Sequence, residues 1–558
     1  MGRSKRVVLI AFYDKVCVSM RALSSVLREA GHRPYLVYFK DDRTIIRHSR
    51  KKNNKYYQVI VNNNFVGCGE DVNPPTEQEF KLLVSKVSEI APDIIGISAR
   101  SVAKDLTRRV VTELRKTLPN AIYIGGGYGP TIEPKAFLES LDFVCLGEGE
   151  RTILELCTLE EPRQVANLAW LEGGKLRHNG LSQPVPIDES IYPDWDFEDK
   201  YYIDDEKIIP MKNAYDTKTY DIFASRGCPA HCSYCMACQW KEMYKMYGGN
   251  IPKLRLRSVE CVIDELMIAK KKYDMQYVRF MDSIFGFNKR WLFNFLDIYD
   301  KKIGLKFFCY LDERFHDEES IKRLKASGIK FTTVGIQSAT ERIRYDIMRR
   351  NVTDDDLVQY AETLINNGIA IKYDILGWNP FETNESLRQG IGFLKRLPKG
   401  EETVVFQLTM FPGSPIYTMF KSIRPRGLTD KEYEYWAWIY QMIMRSKETE
   451  KIADFALNYE YFKEHPRILK ELFNEALGRT EMRYRIFAAR DIKKGEVVTR
   501  VMYDQMKSDE GDGIPYDEAR KILSKPVRRD VRKGNILRWE DFFGTYQDVG
   551  GGSGKWKK

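Results

Sequence analysis

Two stretches of this chain, Arg6–Glu150 and Asp221–Phe411, alternate short apolar β runs with runs of helical periodicity. That alternation admits few folds, because strands joined by helical crossovers pair in parallel and bury both faces of their sheet. In the first stretch, β runs at Arg6–Phe12, Pro34–Phe39, Asp93–Ser98, Ala121–Ile124 and Phe143–Leu146 flank helical runs at Val18–Ala30, Phe80–Ile90 and Asp105–Leu118. The reading is α/β, a doubly wound parallel sheet over residues 1–180, with ligands at the carboxyl ends of its strands. The loops after Phe12, Ser98, Ile124 and Leu146 then share one rim. Two of them are glycine-rich, Gly125-Gly126-Gly127 and Gly147-Glu148-Gly149-Glu150.

Residues 181–220, rich in Pro, Asp and Tyr, read as a linker. Six β/α units follow, from strand Asp221–Ala224 to strand Thr403–Phe411, and predict a partial (β/α)6 barrel over 221–427 with chemistry at its strand C-termini. Residues 428–480 read as helical and aromatic. Residues 481–545 read as a small β-rich module with a weak repeat, Ala489-Arg490-Asp491-Ile492-Lys493-Lys494-Gly495-Glu496 and Arg528-Arg529-Asp530-Val531-Arg532-Lys533-Gly534-Asn535. The Gly/Lys-rich tail 546–558 is expected to be disordered.

Bulk properties narrow the class. With 558 residues the chain is too long for one core. No apolar run approaches the ~20 residues a membrane helix needs, and Val7–Phe12 is too short for a signal peptide and lacks a cleavage site. The net charge of +10 is spread among interleaved acids and bases, as on an ordinary solvated surface; an anionic substrate is the second reading. Four of the ten cysteines crowd into Cys228–Cys238, which is metal-site spacing and points to a reducing cytoplasm.

Cys228, Cys232 and Cys235 lie on one loop after the first strand of the second stretch. Three thiolates can hold three irons of a 4Fe–4S cluster and leave the fourth iron open. An open iron can chelate the amino and carboxylate groups of S-adenosylmethionine. A zinc knuckle completed by Cys238 or His231 is the competing reading, disfavoured by the loop's place in a β/α repeat. Cys238 itself reads as a spare thiol. Arg314, after the third strand, can grip a carboxylate bidentately, or can be an ordinary surface residue.

The Cys-x-x-x-Cys-x-aromatic-Cys segment resembles that of the radical S-adenosylmethionine superfamily. Further segments agree in order: Arg279-Phe280-Met281-Asp282-Ser283, Gly335-Ile336-Gln337-Ser338-Ala339, Tyr373-Asp374-Ile375-Leu376-Gly377 and Phe411-Pro412-Gly413-Ser414-Pro415. The resemblance implies cofactor contacts from Tyr234, Asp282, Ser283, Arg314, Gln337, Ser338 and Leu376, although Ser283, Gln337 and Ala339 depart from the family pattern. The first sheet resembles the cobalamin-binding domain of cobalamin-dependent radical enzymes, on Gly96-Ile97-Ser98, Gly125–Thr131 and Leu146–Glu150. That implies cobalamin contacts from Ser98, Gly126, Gly127, Tyr128, Gly147 and Glu148. The Asp-x-His-x-x-Gly motif is absent and no His lies in a rim loop, so cobalt would be bound without a protein imidazole.

Ile486–Phe542 resembles the SAF, or antifreeze-like, domain of sialic acid synthases, on Ala488–Thr499, Gly511–Pro515 and Arg528–Gly534. It implies that Arg528 and Arg529 contact an anionic sugar, such as a nonulosonic acid or its precursor. Together these resemblances imply C-methylation of an unactivated carbon on a small molecule, with an external flavodoxin or ferredoxin as electron donor and neither membrane nor nucleic acid as partner. The alternatives are a cobalamin-independent epimerase, dehydrogenase or rearrangement enzyme, a tRNA methylthiotransferase, and a carbohydrate-binding protein. Cys17, Cys68, Cys145 and Cys157 lack the second-cluster spacing that methylthiolation needs.

Overall fold

The computed structural model describes residues 3–40, 74–189, 192–214, 218–477, 483–488, 490–499, 503–508, 514, 525–533, 535, 537–538 and 540–543. The expected tail, Cys68 and Gly511–Gly513 lie outside the described residues. The chain divides into two compact units, Met1–Ala453 and Asp454–Lys558.

The first unit opens on a sheet of nine strands: β1 (Arg6–Phe12), β2 (Arg33–Phe39), β3 (Ile94–Ser98), β4 (Ile122–Gly126), β5 (Phe143–Cys145), β6 (Leu168–Glu172), β7 (Lys175–His178), β8 (Lys200–Asp204) and β9 (Lys207–Pro210). Their order is β7-β6-β5-β4-β3-β1-β2-β8-β9. Alternate residues of β1 feed two cores, as the period-two geometry of a strand requires. Val8 and Ile10 pack with Leu83, Val87 and Val110 of helices Glu77–Ile90 and Lys104–Arg115. Val7 and Leu9 pack with Met20, Leu27 and Leu156 of helices Val18–Glu29 and Glu150–Thr158. The chain passes from β1 to β2 on one side and returns to β3 on the other. That reversal is the switch point at which such sheets bind ligands.

The sheet departs from expectation at its edges. Residues 181–220 are not simply a linker: β8 pairs parallel with β2, and β9 returns antiparallel. Hydropathy hid β8 because its ends are buried charges. Lys200 is held by Asp194 at 3.0 Å and Asp196 at 2.7 Å. Asp204 and Glu79 share Lys40, at 2.7 and 2.6 Å, and all three are at most 2% exposed.

The second sheet has six parallel strands in chain order: β10 (Thr219–Ile222), β13 (Tyr277–Phe280), β14 (Lys306–Tyr310), β15 (Ile329–Gln337), β16 (Ala370–Gly377) and β17 (Glu402–Gln407). Between β10 and β13, β11 (Ser225–Gly227) and β12 (Leu254–Leu256) leave the sheet and form a two-stranded antiparallel clasp. The helices between strands start at side-chain caps. Asp317 accepts from Ser320 N at 2.9 Å and Thr353 from Asp356 N at 3.0 Å, which satisfies donors the helix itself cannot. The aromatic helix Asp430–Arg445 is buried through Trp436, Trp438 and Tyr440 and belongs to this unit, so the expected 428–480 segment is divided between the two units.

In the second unit the antiparallel strands Arg483–Ala488 and Tyr503–Ser508 flank the first copy of the repeat. The two copies pair reciprocally. Asp491 accepts from Lys533 N at 2.7 Å, Asp530 accepts from Lys494 N at 2.8 Å, and Ile492 bridges Val531.

Replacing Lys40 by Ala removes the cation between Glu79 and Asp204. Denaturant unfolding should show a loss of about 3–5 kcal/mol; a loss below 1 kcal/mol would mean the edge strand does not depend on that cation.

Candidate active site

The cysteine loop is fixed at both ends and at its middle. At its start, Asp282 accepts from Ala224 N at 3.0 Å and Ser225 Oγ at 2.5 Å. Gly227 has φ 99°, and a Cβ there would overlap Lys253 O, so only glycine closes the clasp. Ser233 donates to Ile347 O at 2.5 Å, and Lys253 Nζ donates to Pro229 O at 3.1 Å. Cys228 and Cys232 are 5% and 4% exposed.

The thiol chemistry suits a thiolate-ligated group. Hydrogen bonds with Cys238 lower the thiols of Cys228, Cys232 and Cys235 against the opposing effect of burial. Cys232 falls to about 5, aided by Arg350 and Arg314, and Cys235 falls to about 7. Metal ligation needs the deprotonated form, so this loop is prepared for it.

Ion pairs join the loop to the first sheet. Arg226, two residues before Cys228, reaches Glu148 at 2.7 Å and Glu150 at 2.6 Å. Arg255 on the facing strand also pairs with Glu148. Glu148 N donates to Tyr244 Oη at 3.0 Å, and a Cβ at Gly147 would lie 2.6 Å from that oxygen. Tyr247 Oη donates to Thr131 O at 2.7 Å.

A cavity of about 1010 Å³ lies where these elements meet, bordered by the loops after β1, β3, β4 and β5, by Ser225–Gly227, Ala237 and Trp240 on either side of the cysteines, and by Gln407–Phe411. Ser98, Gly126, Gly127, Tyr128, Gly147 and Glu148 all border it. Their roles differ, however. The carboxylate of Glu148 and the face of Gly147 are taken by Arg226, Arg255 and Tyr244, so these two hold the cysteine loop. Gly126 is the open cradle: a Cβ there would meet only Cys145, at 3.9 Å. Tyr128 stands edge-on to Trp240 at 4.9 Å, over the cysteine loop. No His is among the described residues that border the cavity. A glycine-lined, roomy site of this kind fits a corrinoid held without an imidazole.

The residues expected to contact S-adenosylmethionine do not all reach the cavity. Ser283 borders it and is exposed. Asp282 does not: it is 1% exposed, occupied by the cysteine loop, and pushed up to about 6 by burial. Arg314 is spent bidentately on Asp312, at 2.8 and 2.7 Å. Despite burial, Arg314 and Arg350 hold the Asp312 carboxyl at about 2. Ser338 donates to Glu382 at 2.5 Å; with Leu376 it borders a separate small pocket beside Trp378. Gln337 has φ 67°, and its side chain folds back over Gly335. Tyr234 is half-buried and packs against the cysteine cluster. In the second unit, Arg529 pairs with the buried Asp541, and Arg528 and Arg529 are both exposed.

Arg226, Arg255, Arg350 and Glu382 are missing from the sequence-based set. Arg226 was within sight, inside the Ser-Arg-Gly-Cys segment, but its partner is 78 residues away.

Comparison with known proteins agrees with this geometry. Residues 13–157 match the family model described as B12 binding domain, and residues 222–390 match that of the Radical SAM superfamily. The chain is 27% identical over 343 residues to an uncharacterized methyltransferase, PH0819, of Pyrococcus horikoshii, covering 59% of this chain and 69% of that protein. It is 24% identical over 429 residues to the cytidylyl-2-hydroxyethylphosphonate methyltransferase of Streptomyces wedmorensis, covering 68% and 76%. The solved structure of the radical S-adenosylmethionine methyltransferase TsrM from Kitasatospora setae, with cobalamin and a 4Fe–4S cluster bound, shares the fold. Its TM-score is 0.56 at 17% identity, covering 75% of this chain and 78% of that one.

The chain thus carries a B12-binding domain and a radical SAM domain. These two domain matches support an enzyme that uses S-adenosylmethionine and cobalamin. No helix among the described residues is long and apolar enough to cross a membrane.

Glu148 and Arg226 should behave as one unit. In a double-mutant cycle of Glu148→Ala and Arg226→Ala followed by chemical unfolding, a coupling of about 1–3 kcal/mol is expected. Additive effects would mean the two loops are held together by other contacts.

Proposed function

We propose that this chain methylates an unactivated carbon of a small-molecule substrate in a cobalamin-dependent radical reaction. One observation carries the reading: the carboxyl ends of the first sheet's strands and the segments flanking the three cysteines, at Ser225–Gly227 and at Ala237 and Trp240, border the same cavity, and ion pairs lock them together. When bound, the cluster and S-adenosylmethionine supply a 5′-deoxyadenosyl radical, and the corrinoid supplies a methyl group. The residues of the chain arrange this chemistry. Cys228, Cys232 and Cys235 provide lowered thiols, and Gly126 and Gly127 leave backbone accessible at the rim. Tyr128 and Trp240 form an apolar wall that keeps water from a reactive carbon radical.

The methyltransferase names of two relatives support methyl transfer over a cobalamin-independent epimerase or dehydrogenase. The electron comes from outside the chain, from a donor of flavodoxin or ferredoxin type. An anionic sugar is the substrate class suggested by the C-terminal repeat, with the exposed Arg528 as its contact.

Anaerobic protein, reconstituted with iron, sulfide and cobalamin, is to be given labelled S-adenosylmethionine, a low-potential reductant and extracts rich in anionic sugars. Expected products are 5′-deoxyadenosine, S-adenosylhomocysteine and a labelled methylated compound, all lost in Cys232→Ala. 5′-Deoxyadenosine formed equally without cobalamin, with no label transferred, would overturn methyl transfer.

A further inference from the structure

Cys238 has no part in the chemistry above, yet it is the best-placed thiol in the molecule. It continues the cysteine loop as Cys-x-x-Cys-x-x-Cys from Cys232 and Cys235. Successive turns present these three residues together: Cys235 N donates to Cys232 O at 3.4 Å, and Cys238 N donates to Cys235 O at 3.3 Å. Cys238 is 5% exposed and packs with Cys228, Cys232 and Ile284, against Phe287 and Phe315. Its side chain lies in one cluster with those of Cys228, Cys232 and Cys235. By contrast Cys17, Cys145, Cys157 and Cys309 are buried in the two sheets, apart from this loop.

We propose that Cys238 is an exchangeable fourth ligand of the cluster: its thiolate caps the fourth iron in the resting enzyme and leaves when S-adenosylmethionine binds. The inference rests on the cluster reading. The exchange balances without oxidant or reductant. The bond from iron to Cys238 Sγ breaks, and bonds form from iron to the amino nitrogen and a carboxylate oxygen of S-adenosylmethionine. The ammonium of free S-adenosylmethionine must lose a proton to become a ligand, and the departing thiolate takes that proton. One anionic ligand replaces another. Cys238 returns to the apolar wall of Ile284, Phe287 and Phe315 as a neutral thiol, so no unpaired charge is buried. The cap protects the one iron that three thiolates leave exposed.

The test uses the full chain, reconstituted anaerobically, beside Cys238→Ala and Cys238→Ser. Without S-adenosylmethionine, ferricyanide should strip the fourth iron slowly from the native protein and rapidly from the alanine variant, read as the EPR signal of the 3Fe–4S product. The variant should bind S-adenosylmethionine at least about tenfold more tightly, because no cap must be displaced. Equal stripping rates and equal affinities overturn the proposal. If neither variant takes up a cluster, Mössbauer spectra of the 57Fe-labelled native protein decide. A fourth iron indistinguishable from the others until S-adenosylmethionine is added supports the cap, and a distinct iron beforehand overturns it. A full cluster retained after Cys228, Cys232 and Cys235 are changed to alanine would instead remove the cluster reading itself.

Discussion

One carboxylate, Glu148, is shared by two guanidinium groups at the place where the two sheets of the first unit meet. The carboxylate is largely buried, so the attraction is weakly screened, and removing either side would leave an uncompensated charge. Arg226 and Arg255 lie on the two strands that clasp the cysteine loop, while Glu148 lies on the rim loop after β5. The rim loops of the first sheet and the clasp that carries the cysteine loop are thereby brought to a single cavity. Tyr244, which accepts from Glu148 N, and Tyr247, which donates to Thr131 O, extend the same seam with neutral contacts.

The seam also explains why glycines recur at the rim for different reasons. At Gly147 a side chain would meet Tyr244, so glycine there serves the contact between sheets. At Gly126 the space is open toward the cavity. A motif that reads uniformly as ligand-binding in the sequence is divided in the structure between a contact with Tyr244 and an open stretch of the cavity rim.

Much of this was legible in the residues. β1 to β5 and the six strands of the second sheet announce themselves because their apolar runs end at glycine, serine or a helix cap, and local pattern decides them. The cysteine loop is legible because its ligands are adjacent in sequence. What stayed hidden depends on distant partners. Lys200–Asp204 looks too charged to be a strand until Asp194, Asp196 and Lys40 are seen to neutralise its ends. Arg314 looks free to grip a carboxylate until Asp312 is seen to occupy it, and Asp282 looks like a cofactor contact until Ala224 and Ser225 claim its oxygens. Arg314 and Asp282 stand out in the sequence and Lys200 and Asp204 do not, and only the fold says which neighbour each serves.

That cluster and corrinoid share one cavity is the claim on which the chemistry depends, and spin coupling reads it directly. EPR of anaerobic protein holding both the reduced cluster and cob(II)alamin should show the two signals split or broadened by each other. Two unperturbed spectra, each superimposable on that of protein holding one cofactor alone, would contradict a shared cavity and with it the radical transfer proposed for this chain.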